Sequence, residues 1–291
     1  MKKIAREIAE LVHSTSSSLP ADAERAIRSA LRREARGSSA RMVLETILKN
    51  VALARAAGTP LCQDTGTLTF FVDSSLRRKA PPSAFDEAVA CASSQGWLRR
   101  NTIDPVTGKS IDSNVCPGAP VVHYVESASP EGHGTIRLIM KGGGSENMSV
   151  QFSLPDASLG AARDLEGVRK CVLAAVQRAQ GFGCAPGLLG VCVGGDRASG
   201  FEEAKMQLLR DIGDANPVPA LAKLERRILK EANSLGIGPM GLGGKTTLLG
   251  VKIGARPRLP ASYFVTVAYM CWAARRGVLV VGAGEFESLK V

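Results

Sequence analysis

Apolar residues recur at Ile4, Ile8, Leu11 and Val12, and again at Met42, Val43, Ile47, Val51 and Leu53. This is the three-to-four spacing of amphipathic helices, so residues 4–57 read as helical. Leu19-Pro20-Ala21-Asp22 interrupts the pattern, Pro20 and Asp22 are start signals for the next helix, and Gly58 closes the region. Residues 67–72 are strand-like and residues 83–92 helical. Residues 102–120 hold three prolines and two glycines and read as a long irregular loop. Residues 121–125 and 135–140 alternate like paired strands and run into Lys141-Gly142-Gly143-Gly144. Residues 165–180 form a strongly amphipathic helix ending at Gly181. Residues 188–193 follow as an apolar strand, 201–210 and 221–235 as helices, and 248–253 and 263–269 as strands. Neither a repeat nor a linker stands out, which predicts one mixed α/β domain over residues 1–291 with helices in its N-terminal 57 residues.

Composition adds one feature, 31 glycines in 291 residues, above the usual ~7% and without a collagen period. Glycine in such excess marks tight turns or close backbone approach to a ligand. The net charge of +10 raises the question of a polyanionic partner. Its excess sits in residues 1–50 and 251–291, while residues 101–150 are net acidic. Two Trp, three Tyr and eight Phe leave few platforms for base stacking. A basic nucleic-acid-binding protein is therefore the different-class alternative, and the pattern argues against it. Arg6, Glu7 and Glu10 fall where a signal peptide needs its apolar core. The longest hydrophobic uncharged stretch, residues 259–274, is interrupted by Pro260 and too short to span a bilayer. The expectation is a cytoplasmic protein with no membrane segment.

Seven cysteines, with no CxxC pair among them, disfavour both a disulfide scaffold and a local zinc clip. Cys91, Cys171 and Cys192 lie in apolar helical or strand contexts and read as core. Cys62, Cys116 and Cys184 sit among proline and glycine in loops, where a thiolate can meet a ligand. Cys271, in Tyr269-Met270-Cys271-Trp272-Ala273, looks like core by its local surroundings. His13, His123 and His133 have no ligand spacing, and no G-x-S-x-G elbow accompanies them. Gly244-Lys245-Thr246 is the tail of a phosphate loop, but its first glycine would fall on Pro239. Asp64 is the best placed acid for chemistry, although an isolated loop aspartate more often makes an Asx turn or a cap.

Five segments carry these features in order: Cys62-Gln63-Asp64-Thr65-Gly66; Lys141 to Asn147, read KGGGSEN; Cys184-Ala185-Pro186 with Gly194-Gly195; Asn233-Ser234-Leu235-Gly236-Ile237-Gly238-Pro239 with Gly243-Gly244-Lys245; and Cys271-Trp272-Ala273. Together, from about residue 40 to residue 280, they resemble the iron-sulfur class of fumarases, the class I fumarate hydratase and tartrate dehydratase family.

The resemblance implies an α/β cluster-binding subunit with glycine-rich loops around an iron-sulfur site. Its 4Fe-4S cluster would be held by Cys62, Cys184 and Cys271. Three protein ligands leave one iron open, a Lewis acid for the hydroxyl and a carboxylate of a small hydroxy diacid. The implied reaction is reversible hydration of fumarate to malate, with L-tartrate dehydratase and mesaconate hydratase as alternatives. Asp64 matches the family's acid/base aspartate, while Gln63, Arg99, Gly144, Ser145 and Asn147 match substrate contacts. Two departures stand out. Leu259 occupies a usual histidine position, and the loop around Ile111-Asp112-Ser113-Asn114 contains the additional Cys116. The chain ends soon after Cys271, so a partner β subunit in a hetero-oligomer would complete the active site.

Overall fold

The N-terminal apolar repeat folds as three helices in a computed structural model that describes residues 1–127, 129–282 and 286–287. They are α1 (Lys3–Ser17), α2 (Ala21–Arg33) and α3 (Ser39–Ala57). Pro20 precedes α2, whose first turn holds Asp22 and Glu24 and whose last holds Arg32 and Arg33, charges that complement the helix dipole. A second break at Gly37, with φ +76°, was masked by the apolar spacing; Gly58, with φ +63°, ends α3.

By its internal contacts the chain divides into two units, Met1–Ala21 with Lys49–Gly143 and Arg275–Val291, and Asp22–Leu48 with Gly144–Ala274. In the first, β1 (Thr67–Asp73) is buried from Leu68 onward. A strand so covered needs neighbours on both edges. It pairs in parallel with β2 (Val121–Val125), Thr69 facing Val121, and antiparallel with β3 (Gly134–Lys141), Thr67 facing Lys141. The expected direct pairing of residues 121–125 with 135–140 is thus corrected: β1 lies between them. Helix α4 (Pro82–Ser94) packs with α1 over this sheet, on a core that includes Ile8, Val12, Phe70, Phe85 and Leu138.

The second unit begins its sheet with β4 (Val150–Ser153), preceded by the one-turn helix α5 (Gly143–Asn147), which starts at the end of the first unit. Helix α6 (Leu165–Ala179), β5 (Gly187–Gly194), α7 (Arg197–Gln207), α8 (Pro219–Ser234), β6 (Leu248–Arg256) and β7 (Phe264–Met270) follow. The strand order is β4-β7-β5-β6. β5 is buried at every position because both its faces are covered. Leu189, Val191 and Val193 pack in one core with residues of α6 and α8, while Gly190, on the other face, lies against Ala204 of α7. After β7 the chain returns to the first sheet, where β8 (Arg276–Val281) runs antiparallel to β3 and is followed by β9 (Phe286–Glu287). β4 and β8, too short or too Gly-Arg-led to stand out in the sequence, are additions to the expected elements.

Register decides where the loops emerge. The segments entering β1, β2 and β8 and leaving β3 share one end of the first sheet, since Thr67 faces Lys141 and Ile139 faces Arg276. In the second sheet Leu188 faces Met270, Gly187 faces Leu248 and Val150 faces Val267. The segments entering β4, β5 and β6 and leaving β7 therefore share one end too. Among the described residues no helix is long and apolar enough to cross a membrane.

A Cβ on Gly190 would come within 2.0 Å of the Ala204 carbonyl oxygen. Gly190→Ala is therefore expected to push α7 off the sheet and cost about 1 to 3 kcal/mol in urea unfolding, as overpacking does.

Candidate functional site

At its loop-bearing end the first sheet carries the turn from Leu61 to Gly66. Leu61 anchors it, its N–H donating to Ser16 O at 2.9 Å and its carbonyl accepting from Asn50 Nδ2 at 2.9 Å. Cys62 and Asp64 are half-buried and Gln63 is exposed, and the Asp64 N–H points to Cys62 Sγ at 3.5 Å. Gly66, at φ +78°, lets the turn touch the end of β3: a Cβ there would lie 2.4 Å from the Lys141 carbonyl. Gly142 lies beside Asp64 in the same way, its Cβ position 2.9 Å from Asp64 Oδ2.

Thr65 and Asn114 tie this turn to the irregular loop. Buried Thr65 Oγ1 accepts from the Arg99 N–H at 2.9 Å and donates to Asn101 Oδ1 at 2.9 Å. Asn114, at φ +56° and buried, uses both ends of its amide. Oδ1 accepts from the N–H groups of Asn101 (3.2 Å) and Thr102 (3.1 Å), and Nδ2 donates to Ser93 Oγ and Arg99 O, both at 2.9 Å. The result is a cavity of about 310 Å³ whose lining includes Asp64, Thr67, Asn101, Asn114, Pro120 and Gly143. Arg99 contributes its backbone to this network and leaves its side chain exposed.

Arg275, which the sequence did not single out, is 1% exposed, and its Nε and Nη1 have no hydrogen-bond partner. Its Nη2 approaches the Gly142 Cβ position at 3.6 Å, next to Asp64 Oδ2. A buried guanidinium without an anion is costly, and here it lies beside an acid already suspected of chemistry. No local sequence signal separates it from Arg276.

The second sheet gathers Cys184 and Cys271. The Trp272 N–H donates to the Cys184 carbonyl at 3.1 Å, joining the turn after β7 to the loop before β5. Cys184 is exposed, with φ +53°, and Cys271 is half-buried, not in the core that its local sequence suggested. The segments entering β4 and β6 reach the same end. The Tyr269 N–H donates to Ser149 Oγ at 3.2 Å, just after Gly144, Ser145 and Asn147 of α5, and the Met240 N–H donates to Ala185 O at 2.9 Å. In α5, Ser145 is buried while Gly144 and Asn147 are exposed. Tyr269 itself is 2% exposed and its hydroxyl has no hydrogen-bond partner.

The remaining candidates behave as ordinary structure. Burial pushes the Cys171 and Cys192 thiols up to about 12, so both stay protonated and inert. His13 Nε2 lies 3.0 Å from Gly58 O with its ring stacked on Trp97, and His123 stacks on Phe71. The Lys245 N–H, which a phosphate loop would turn to its ligand, donates to the buried Glu34 carboxylate at 2.9 Å.

The family model described as fumarate hydratase (Fumerase) matches residues 5–280. The chain belongs to the fumarate hydratase (Fumerase) family. A protein carrying the name fumarate hydratase class I in Geobacillus stearothermophilus is 46% identical over 281 residues, covering 95% of this chain and 54% of its own length. The chain thus spans about half of that relative. L(+)-tartrate dehydratase subunit alpha of Escherichia coli K12 is 30% identical over 295 residues, covering 99% of this chain and 94% of its own length. The match to the Fumerase family takes in α1 and α2, upstream of the residues that carried the resemblance.

A 4Fe-4S cluster is the group that the resemblance implies, and the donor set suits it. Among the described residues no three His, Cys, Asp or Glu side chains form a group that could hold a single ion. A cluster asks for something different, because each thiolate takes its own iron. Cys62, Cys184 and Cys271 are solvent-reachable loop or strand-end thiols, unlike the buried Cys171 and Cys192; Cys91, expected in the core, is half-buried on α4. The partnerless Tyr269 hydroxyl beside Cys184 and Cys271 is a donor lacking an acceptor, which sulfur would supply.

Thiol labelling of the iron-free chain at pH 8 is expected to modify Cys184 first and to spare Cys171 and Cys192 until denaturant is added. Equal labelling of all three in the native state would contradict the burial described. Asn114→Ala strands two N–H groups and should cost about 1 to 3 kcal/mol while opening residues 99–114 to protease.

Proposed function

We propose that the chain is the cluster-bearing subunit of a cytoplasmic hydro-lyase that interconverts fumarate and malate, completed by a β subunit. The observation that carries the reading is the coincidence, at one end of a sheet, of Cys184, Cys271 and the Gly144–Asn147 segment. The resemblance had named these residues from widely separated motifs. Within the first unit, Cys62 and Asp64 occupy one tight turn, and the Arg275 guanidinium lies beside Asp64. The 46% identical relative supports fumarate as the substrate. The relatives named as tartrate dehydratase alpha subunits match this chain over nearly their whole length, which supports a separate β partner and keeps tartrate as the second substrate; mesaconate is a third.

When bound through Cys62, Cys184 and Cys271, the cluster supplies one iron without a protein ligand, a Lewis acid for the substrate hydroxyl. The chain's own groups would then do the rest. Asp64 Oδ2 moves the proton, reaching past Gly142 where no side chain intervenes. The guanidinium of Arg99 pairs with one substrate carboxylate. Arg275 holds positive charge behind Asp64, and Gln63, Gly144, Ser145 and Asn147 offer amide, hydroxyl and backbone groups that orient the diacid. The cavity under Asp64, framed by the Thr65 and Asn114 hydrogen bonds, is of a size to admit a small ligand.

Anaerobic assay of the chain co-expressed with its β partner should give turnover of fumarate above that of L-tartrate and mesaconate. A preference for tartrate would move the assignment to the second substrate, and no turnover of any of the three by iron-loaded protein would overturn it. Asp64→Asn should keep iron and substrate binding while lowering kcat about 10² to 10⁴ fold. Near-normal kcat with normal iron would return Asp64 to a turn-forming role.

A further inference from the structure

Tyr269 stands one residue from the end of β7, and the loop before β5 is wrapped around its ring. A Cβ on Gly183 would lie 2.4 Å from ring atom Cε1, and one on Gly187 would lie 2.5 Å from the hydroxyl oxygen. Only glycine at both positions lets the loop close this tightly, and Cys184 lies between them. Cys271 lies two residues beyond Tyr269, just past the end of β7. The Cys271 and Cys184 sulfurs lie within electrostatic range of the phenol. Yet the hydroxyl has no hydrogen-bond partner although the residue is 2% exposed. Phenylalanine would fill the same space without stranding a polar atom, which singles out the hydroxyl as the part needing an explanation.

We propose that the Tyr269 hydroxyl donates a hydrogen bond to sulfur on the Cys184 and Cys271 side of the bound cluster, setting its reduction potential and helping to retain it. This rests on the cluster reading above. Hydrogen bonds to thiolate or sulfide sulfur stabilise the added electron of the reduced cluster and are a main determinant of potential. The contact would also hold the Cys184 loop, whose φ of +53° is sparsely populated for a residue with a Cβ, against the strand that carries Cys271.

The test compares wild type and Tyr269→Phe, each reconstituted anaerobically and co-expressed with the β partner. Iron and sulfide are quantified first, then the reduction potential and the iron-sulfur vibrational bands in H2O and D2O. The phenylalanine variant should load iron, show a more negative potential and lose part of the D2O-sensitive shift of the wild type. Iron-free Tyr269→Phe should melt at or above the wild-type temperature, because it no longer buries an unpaired hydroxyl. A variant that folds this well but loads less iron reports the same contact. Full iron with an unchanged potential and an unchanged D2O response overturns the proposal and leaves the cluster reading intact. Wild-type chain that takes up no iron overturns both.

Discussion

Antiparallel pairing brings the start of one strand to the end of its neighbour, and this chain uses that constraint twice. Thr67 opposite Lys141 sets the Cys62–Gly66 turn beside Gly142, and Leu188 opposite Met270 sets the Cys184 loop beside Cys271. The chemistry-bearing residues are far apart in sequence because each sheet collects them from strand ends. The Trp272 N–H to Cys184 carbonyl bond fixes the second pair directly. A slip of one residue in either register would turn these side chains to the opposite face.

Close backbone approach is the second constraint and accounts for part of the glycine excess. At Gly66 and Gly142 the missing side chains leave room for the end of β3 and for the Asp64 carboxylate. At Gly183 and Gly187 they leave room for the Tyr269 ring. Polar groups hold what the glycines permit. Asn114 and Thr65 pin an irregular loop whose own backbone pairing is limited to isolated bridges at Ile103–Ser110 and Cys116–Ala119, so buried side-chain hydrogen bonds help to shape the cavity below Asp64.

The sequence made the helices legible wherever their apolar spacing was unbroken, as in α6 and α8, and the largely buried strands β1, β5 and β6 as apolar runs. It misplaced the pairing of β2 and β3, because alternation reports a face and not a neighbour. Cys62 and Cys184 were readable as loop cysteines from their glycine and proline surroundings, whereas the surroundings of Asp64 favoured a turn or cap and only the family resemblance gave it an acid/base role. Cys271 was not readable, since its apolar neighbours imitate core, and only the family resemblance selected it. Arg275, Tyr269 and Asn114 carried no local signal: what distinguishes them is burial with unpaired or fully paired polar atoms, a property of the folded chain.

The central claim is that three cysteines from separate motifs act as one ligand set while the others do not. The most direct test is iron content after anaerobic reconstitution of Cys62→Ser, Cys184→Ser and Cys271→Ser, each measured beside Cys116→Ser with folding verified. Each of the first three should lose most of its iron, and Cys116→Ser should match wild type. Cys271→Ser at full occupancy with iron lost from Cys116→Ser would contradict the account.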